Sequence, residues 1–366
     1  MHTHHGREPN DDFRSLQIPV PIIPSSYRAP WFLRNGHAHT IYPVAFRRVP
    51  EVRYIRERIE LEDGDFLDLD WSRVRGRSAL VIAHGLEGSS DGAYVRGMAR
   101  AFNRRGWDVA AMNFRGCSGE PNRLLRSYHS GATDDLLHIL WHVNRAGYDR
   151  VGLVGFSLGG NMVLKLLGEL GTNAPSWLAG GVGISVPCDL RAACETMARR
   201  INAPYMRRFL VSLRQKLQSK QARFPIEMND AGYERLKTFR HFDDRYTAPI
   251  HGFRDAEEYW VRCSALAFLP KIQCPALLLN SLDDPFLAQE CFPRELAAAH
   301  RWLHLETPIN GGHVGFAGGG LRHGEYYSER RALEFLGAEP ASANGERRGG
   351  MRSKLNSAET DSFRLA

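Results

Sequence analysis

Four apolar runs constrain this chain more than anything else in it: ALVIAHG (79–85), VAAMNF (109–114), VGLVGF (151–156) and GGVGISVP (180–187). Each has strand length and none alternates, the pattern of a strand buried on both faces. Helical patterns stand between them: YVRGMARAFNRRG (94–106), ATDDLLHILWHVNRAG (132–147) and NMVLKLLGEL (161–170). The first ends on a glycine, and the second carries acids in its first turn, where the helix dipole favours them. Buried strands alternating with amphipathic helices predict an α/β fold with a doubly wound, mostly parallel sheet. PALLLNS (275–281), a helix over about 288–300, RWLHLE (301–306) and EYYSERRALEFLG (325–337) continue the series. Ahead of it, RERIEL and FLDLDW flank Asp63-Gly64-Asp65 and predict two strands with a hairpin turn.

The alternation breaks off over 188–262, which is aromatic, helical in pattern and basic, with 15 Lys/Arg against 9 Asp/Glu over 190–262. That stretch reads as a helical cap inserted between the first part of the core (27–187, including an N-terminal arm) and the second part (263–337). Residues 27–50 lack a clear period and predict a non-regular arm. Residues 1–26, with IPVPIIP, predict a flexible, extended leading segment. The tail 338–366 is poor in apolar residues and predicts disorder.

Within this frame Gly155-Phe156-Ser157-Leu158-Gly159 is a G-x-S-x-G turn between a strand and a helix. Such a sharp turn presents its serine at the carboxyl end of the sheet, beside a helix N-terminus whose free N–H groups favour developing negative charge. Ser157 is therefore the candidate nucleophile; otherwise it is a serine that merely caps a helix. A serine nucleophile needs a base. Of His300, His304, His313 and His323, His313 lies in the Gly-rich loop NGGHVGF after the last predicted strand and can reach back over the sheet edge, with His323 second. The acid should follow PALLLNS, where Asp283-Asp284-Pro285 stands. Asp284 is favoured, because an acid directly before proline is the commoner arrangement in such loops. Asp283 stays open beside it, and Asp189 is a more distant alternative whose simpler role is an N-cap. The backbone N–H groups of Leu158 and of Leu86, in HGLEGSS, are the expected oxyanion donors.

Other strings carry less. His129 and Asp134 form a His-x4-Asp string of the kind seen in acyltransferases, but Asp134 or Thr133 capping the next helix explains it more simply. His138 and His142 lie one helical turn apart with no third ligand, so no metal is expected. Asn113-Phe114-Arg115-Gly116 reads as a structural strand-to-turn element. HTHH belongs to the leading segment rather than to a metal site. A chain of 366 residues, 43% hydrophobic, buries a core without disulfides, and its six cysteines form no CxxC pair. They read as reduced thiols, mostly buried, of a cytoplasmic protein. No secretory signal and no long apolar stretch is seen. A net charge of +7 without a Lys/Arg block argues against nucleic acid and leaves peripheral contact with a membrane surface open.

HGLEG, NFRGCSGE, YHSGATDDL, GFSLGGNM, DDPF and NGGHVGF, in that order, with the arm APWFLRNGHAHTIYP, resemble the YheT-like subgroup of the α/β-hydrolases, which is related to vertebrate abhydrolase-domain proteins. The resemblance spans about 27–337. It implies a Ser-Asp-His carboxylesterase with a helical cap and no cofactor, and its triad positions fall on Ser157, Asp284 and His313. The expected substrate is a small-molecule or lipid-like ester. An anionic end on that ester would suit the basic cap. Acyl transfer by the same triad and a non-catalytic ligand-binding homologue are the alternatives; an aspartate-nucleophile dehalogenase is disfavoured by the serine at the elbow.

Overall fold

The apolar runs form the middle of a nine-stranded sheet. A computed structural model describes residues 21–318 and 320–337, so the HTHH string and the tail 338–366 lie outside the described residues. The strands are β1 (Ile22–Ile23), β2 (Ile55–Glu60), β3 (Phe66–Ser72), β4 (Ser78–Ala83), β5 (Trp107–Asn113), β6 (Arg150–Phe156), β7 (Leu178–Ile184), β8 (Ala276–Leu279) and β9 (Leu303–Glu306). Their order is β1-β9-β8-β7-β6-β4-β5-β3-β2. Among the described residues only the β2–β3 and β3–β5 pairs are antiparallel, and the chain is an α/β protein with a mostly parallel sheet.

Helices cover both faces, which is why the central strands lack alternation. On one face α3 (Thr133–Arg145) and α4 (Leu158–Leu170) bury Leu136, Ile139, Leu140, Met162 and Leu166. On the other, α2 (Ala93–Asn103) and the C-terminal helix Tyr327–Phe335 bury Met98, Phe102 and Leu333. Arg115, after β5, is buried among Asp63, Asp65 and Asp135 at 2.8, 2.9 and 2.7 Å. Its guanidinium ties the β2–β3 hairpin to α3, the structural role expected of the NFRG element.

Several local expectations change. Asn35 caps a helix α1 (Gly36–Phe46), accepting from the N–H groups of His37 and Ala38 at 3.0 and 3.1 Å, so the arm is not irregular. Its period was hidden because the buried face carries His39 and Thr40 while Ile41, Val44 and Phe46 face outward, the reverse of the usual pattern. Residues 21–26 are not loose either: Ile22 and Ile23 pair with Leu305 and Glu306 as a parallel edge strand. The helix expected over 288–300 is a 3-10 turn (Gln289–Cys291) and a short helix (Arg294–Ala299), divided at Pro293. Neither Thr133 nor Asp134 caps α3. Ala132 holds that position, Asp134 pairs with Arg126, and the Thr133 hydroxyl accepts from Lys165 Nζ at 3.3 Å. Asp189 does cap the next helix, α5 (Leu190–Met197), accepting from Ala192 N–H at 3.0 Å.

Between β7 and β8 the chain runs through helices, including α5 and α6 (Ala203–Gln221), with no strand among the described residues. Met206, Leu210, Leu213 and Leu217, at three- and four-residue spacing along α6, bury a small core of their own with Met228, Tyr233, Phe242 and Tyr246. All six cysteines are free, and four of them are buried.

Candidate active site

Ser157 stands between β6 and α4 with φ 52° and ψ −119°, in the left-handed region that L-residues avoid. Close packing enforces the turn. A Cβ on Gly155 would lie 2.2 Å from the Gly159 carbonyl oxygen, and one on Gly159 would lie 2.3 Å from that of Ala83. Nothing larger than hydrogen fits at either position.

His313 Nε2 lies 2.9 Å from Ser157 Oγ, and its Nδ1 lies 2.9 and 3.1 Å from the two carboxylate oxygens of Asp284. The three side chains come from the ends of β6, β8 and β9, the carboxyl edge of the sheet, where an open α/β sheet places its ligand site. Asp283 faces elsewhere. Its carboxylate accepts from Gly312 N–H at 2.9 Å and from Asn310 Nδ2 at 3.1 Å, so it braces the loop that carries His313. The other histidines are apart from this group. His300 Nδ1 accepts two backbone N–H groups, His304 packs on Phe335, and His323 is exposed.

The HGLEG loop passes beside the serine: a Cβ on Gly85 would sit 3.3 Å from Ser157 Cβ. Neither Leu86 N–H nor Leu158 N–H has an acceptor among the described residues. His84 fixes this loop. It is fully buried, its Nδ1 bonds the Gly85 carbonyl at 2.7 Å, and its Nε2 accepts from Phe114 N–H at 3.2 Å. Burial pushes its pKa down to about 3, so the ring is neutral and its tautomer is set by these two bonds. Tyr94 Oη accepts from Gly85 N–H at 3.0 Å.

Sequence reasoning missed a set of hydroxyls that position the His313 loop. Thr40 Oγ1 accepts from His313 N–H at 2.8 Å, Ser185 Oγ accepts from Val314 N–H at 2.8 Å, and Ser281 Oγ donates to the Gly312 carbonyl at 2.9 Å. Ser185 follows directly on β7 and Ser281 stands two residues after the end of β8, a positional hint that was available. Thr40 reaches from the arm, 273 residues away, and the sequence gives no sign of that contact.

Ser157 and His313 open into a cavity of about 160 Å³. Its walls are mostly apolar and come largely from the 188–262 segment, among them Met197, Phe209, Leu213, Leu217 and Phe242. The two lysines that line it are engaged. Lys216 Nζ pairs with Glu87 and meets Cys117 Sγ, both at 2.9 Å. Lys220 Nζ donates to Asn122 Oδ1, Ser127 Oγ and the carbonyls of Leu125 and Arg126, and burial pushes its pKa down to about 8. These bonds tie α6 to the 122–127 loop and leave little cationic capacity for an anionic end on a substrate. His129 also lines the cavity, packed on His251, Phe253 and Tyr259, whereas Asp134 faces Arg126. The His-x4-Asp string therefore does not converge on one centre. His142 bonds Glu57, and no cluster of three metal-ligating side chains exists among the described residues.

Asp243, on the same cavity wall, is buried with Thr247 Oγ1 at 2.6 Å and Trp260 Nε1 at 2.9 Å. Desolvation pushes its pKa up from 3.8 to about 7. A carboxyl raised in the folded state stabilises most below its unfolded pKa, and that contribution is lost as pH rises through the folded one. Relative to Asp243→Asn, the parent is expected to lose about 1.4 kcal/mol of stability per pH unit between about pH 4 and 7. Urea unfolding midpoints across that range measure it; parallel curves for the two proteins would contradict it.

Residues 78–319 match the family model described as alpha/beta hydrolase fold. The chain belongs to this family. Within it, the chain is 38% identical over 309 residues to the Escherichia coli (strain K12) protein named "Putative esterase YheT", covering 82% of this chain and 90% of that one. It is 26% identical over 336 residues to phospholipase ABHD3 of Homo sapiens, covering 89% and 82% of the two chains. The solved structure of the Pyrococcus furiosus esterase Pf2001 superposes with a TM-score of 0.52 at 17% identity, over 81% of this chain and 99% of that one, a likeness of fold. The YheT-like hydrolase family read from the motifs is thus the family of this chain. No helix among the described residues is long and apolar enough to cross a membrane.

Proposed function

We propose that this α/β-hydrolase cleaves carboxylic esters through an acyl-enzyme on Ser157. The observation that carries the reading is the unbroken line from Ser157 Oγ through His313 to Asp284, each link 2.9 Å, at the wall of an apolar cavity. Ser157 Oγ attacks the ester carbonyl while His313 Nε2 takes its proton. Asp284 holds the ring with Nε2 toward the serine and stabilises the imidazolium. The oxyanion meets the N–H groups of Leu158 and Leu86, the former at the N-terminus of α4. His313 then protonates the leaving alcohol, the C–O bond breaks, and water activated by His313 releases the acid and restores Ser157. The 188–262 segment caps the site and selects the group that enters. Its apolar wall and the relatives named as an esterase and a phospholipase favour a lipid-like ester over a charged one.

Turnover of p-nitrophenyl esters of graded acyl length tests the reading, paired with fluorophosphonate labelling mapped to Ser157. Hydrolysis with an optimum at an intermediate chain length and a label on Ser157 is expected. No turnover and no label would overturn it. An ester product when an alcohol competes with water would redirect the same chemistry to acyl transfer.

A further inference from the structure

The arm has two faces, and the chemistry above uses only one. Inward, Thr40 holds His313 N–H, and His39 Nε2 accepts from Ala317 N–H at 3.0 Å. His37 reaches sideways, stacked on Tyr205 of the 188–262 segment with ring centroids 5.7 Å apart. Tyr205 packs on Phe286, whose ring centroid lies 4.3 Å from that of His313.

Outward, the arm is apolar and bare. Trp31 is 79% exposed, Val44 60%, Ile41 53%, Phe46 45% and Phe32 44%. Ring contacts run from Trp31 to Phe32, on to Tyr42, and on to Phe46, with centroids 5.6, 6.3 and 5.2 Å apart, so these four rings form one strip, and Ile41 and Val44 are exposed on the same helix. Scattered exposed hydrophobics need no explanation, but a contiguous strip on a monomer does. The strip is rimmed by one sign of charge. Residues 21–50 contain no acid, and Arg28, Arg34 and Arg48 are exposed. Arg322 joins them, exposed, with its guanidinium 5.5 Å from the Phe46 ring. Bulky apolar and aromatic side chains ringed by arginines have the composition of a segment that lies in a lipid headgroup layer.

We infer that the outer face of the arm docks on an anionic lipid surface. Trp31, Phe32, Ile41, Val44 and Phe46 enter the headgroup boundary, and Arg28, Arg34, Arg48 and Arg322 meet lipid phosphates. The charge of the rim favours lipid over a second copy of this chain, whose identical face would set arginine against arginine. Docking itself does not depend on the hydrolysis proposed above. If that reading holds, the same segment that seats on lipid also braces the loop of His313.

The test uses the full chain carrying Ser157→Ala, so that vesicles stay intact, in co-sedimentation with phosphatidylcholine vesicles with and without phosphatidylglycerol. Binding to the phosphatidylglycerol vesicles, weakened by salt and by omission of the anionic lipid, is expected. Ile41→Asp together with Val44→Asp should lower the partition by about a hundredfold. In the Ser157 background the same pair should leave turnover of a soluble ester unchanged, which shows that the fold and the His313 loop survive. No sedimentation with either vesicle overturns the inference. So does a dimer in solution that the aspartate pair dissociates, since the face would then belong to a second copy. Loss of soluble-ester turnover in the parent would sink the proposed chemistry while leaving the vesicle result to decide this one.

Discussion

Asp284→Asn should lower kcat on a soluble ester by about ten-thousandfold, the scale of losing the carboxylate behind a triad histidine. Ser157→Ala should reduce turnover at least as far, since removing the nucleophile leaves only the oxyanion donors and binding. Asp283→Asn is the informative comparison, because it stands one residue away and carries the same charge. Its carboxylate bonds Gly312 N–H and Asn310 Nδ2 rather than the imidazole. An asparagine there can still accept from Gly312 while its amide faces that of Asn310, so the loop loosens but His313 keeps its partner. The expected result is a kcat lower by about tenfold at most, with a lower unfolding temperature. Steady-state kinetics with thermal unfolding of the three variants separate the roles. Equal collapse of kcat in Asp283→Asn and Asp284→Asn, with both folded, would mean that the two acids share the histidine and that the assignment of Asp284 alone is wrong.

The pair also marks where the sequence stopped being legible. The strand runs, the serine turn and the loop of His313 each have a local signature, because burial on both faces, a glycine-enforced turn and a Gly-rich loop leave traces within a few residues. Asp283 and Asp284 share one loop, and only backbone direction decides which carboxylate reaches the ring. Thr40, Ser185 and Ser281 were missed for a related reason: a hydroxyl that holds a distant loop looks in sequence like any other hydroxyl. The arm failed differently. Amphipathic periodicity finds helices with one apolar face, and α1 has Pro43, Thr40 and His39 inward with Ile41 and Val44 outward. Asn35 was its one local signal, a side-chain cap ahead of a segment whose usual contrast between faces is reversed.

Gly159→Ala is expected to cost about 3 kcal/mol or more, enough to deplete folded protein. The added methyl would lie 2.3 Å from the Ala83 oxygen and 2.4 Å from the His84 oxygen, both backbone atoms at the end of β4. A side chain can swing away from such a clash, but a strand in the middle of the sheet cannot. α4 would have to lift from β4, and Ser157 with it. Gly85→Ala makes the contrast. Its methyl would meet Ser157 Cβ at 3.3 Å, with the Phe156 oxygen next at 3.5 Å, a squeeze that a shift of a few tenths of an ångström relieves. That shift falls on the serine and on the loop of Leu86 rather than on the core. Gly85→Ala should therefore keep an unfolding midpoint near that of the parent and lose about ten- to a hundredfold in kcat, the scale of a small misplacement at a reacting centre. Urea unfolding and ester turnover, measured on both variants, test the contrast directly. A Gly159→Ala protein as stable as the parent would show that α4 can move off the sheet, and the strained turn could not then be what holds Ser157 in place.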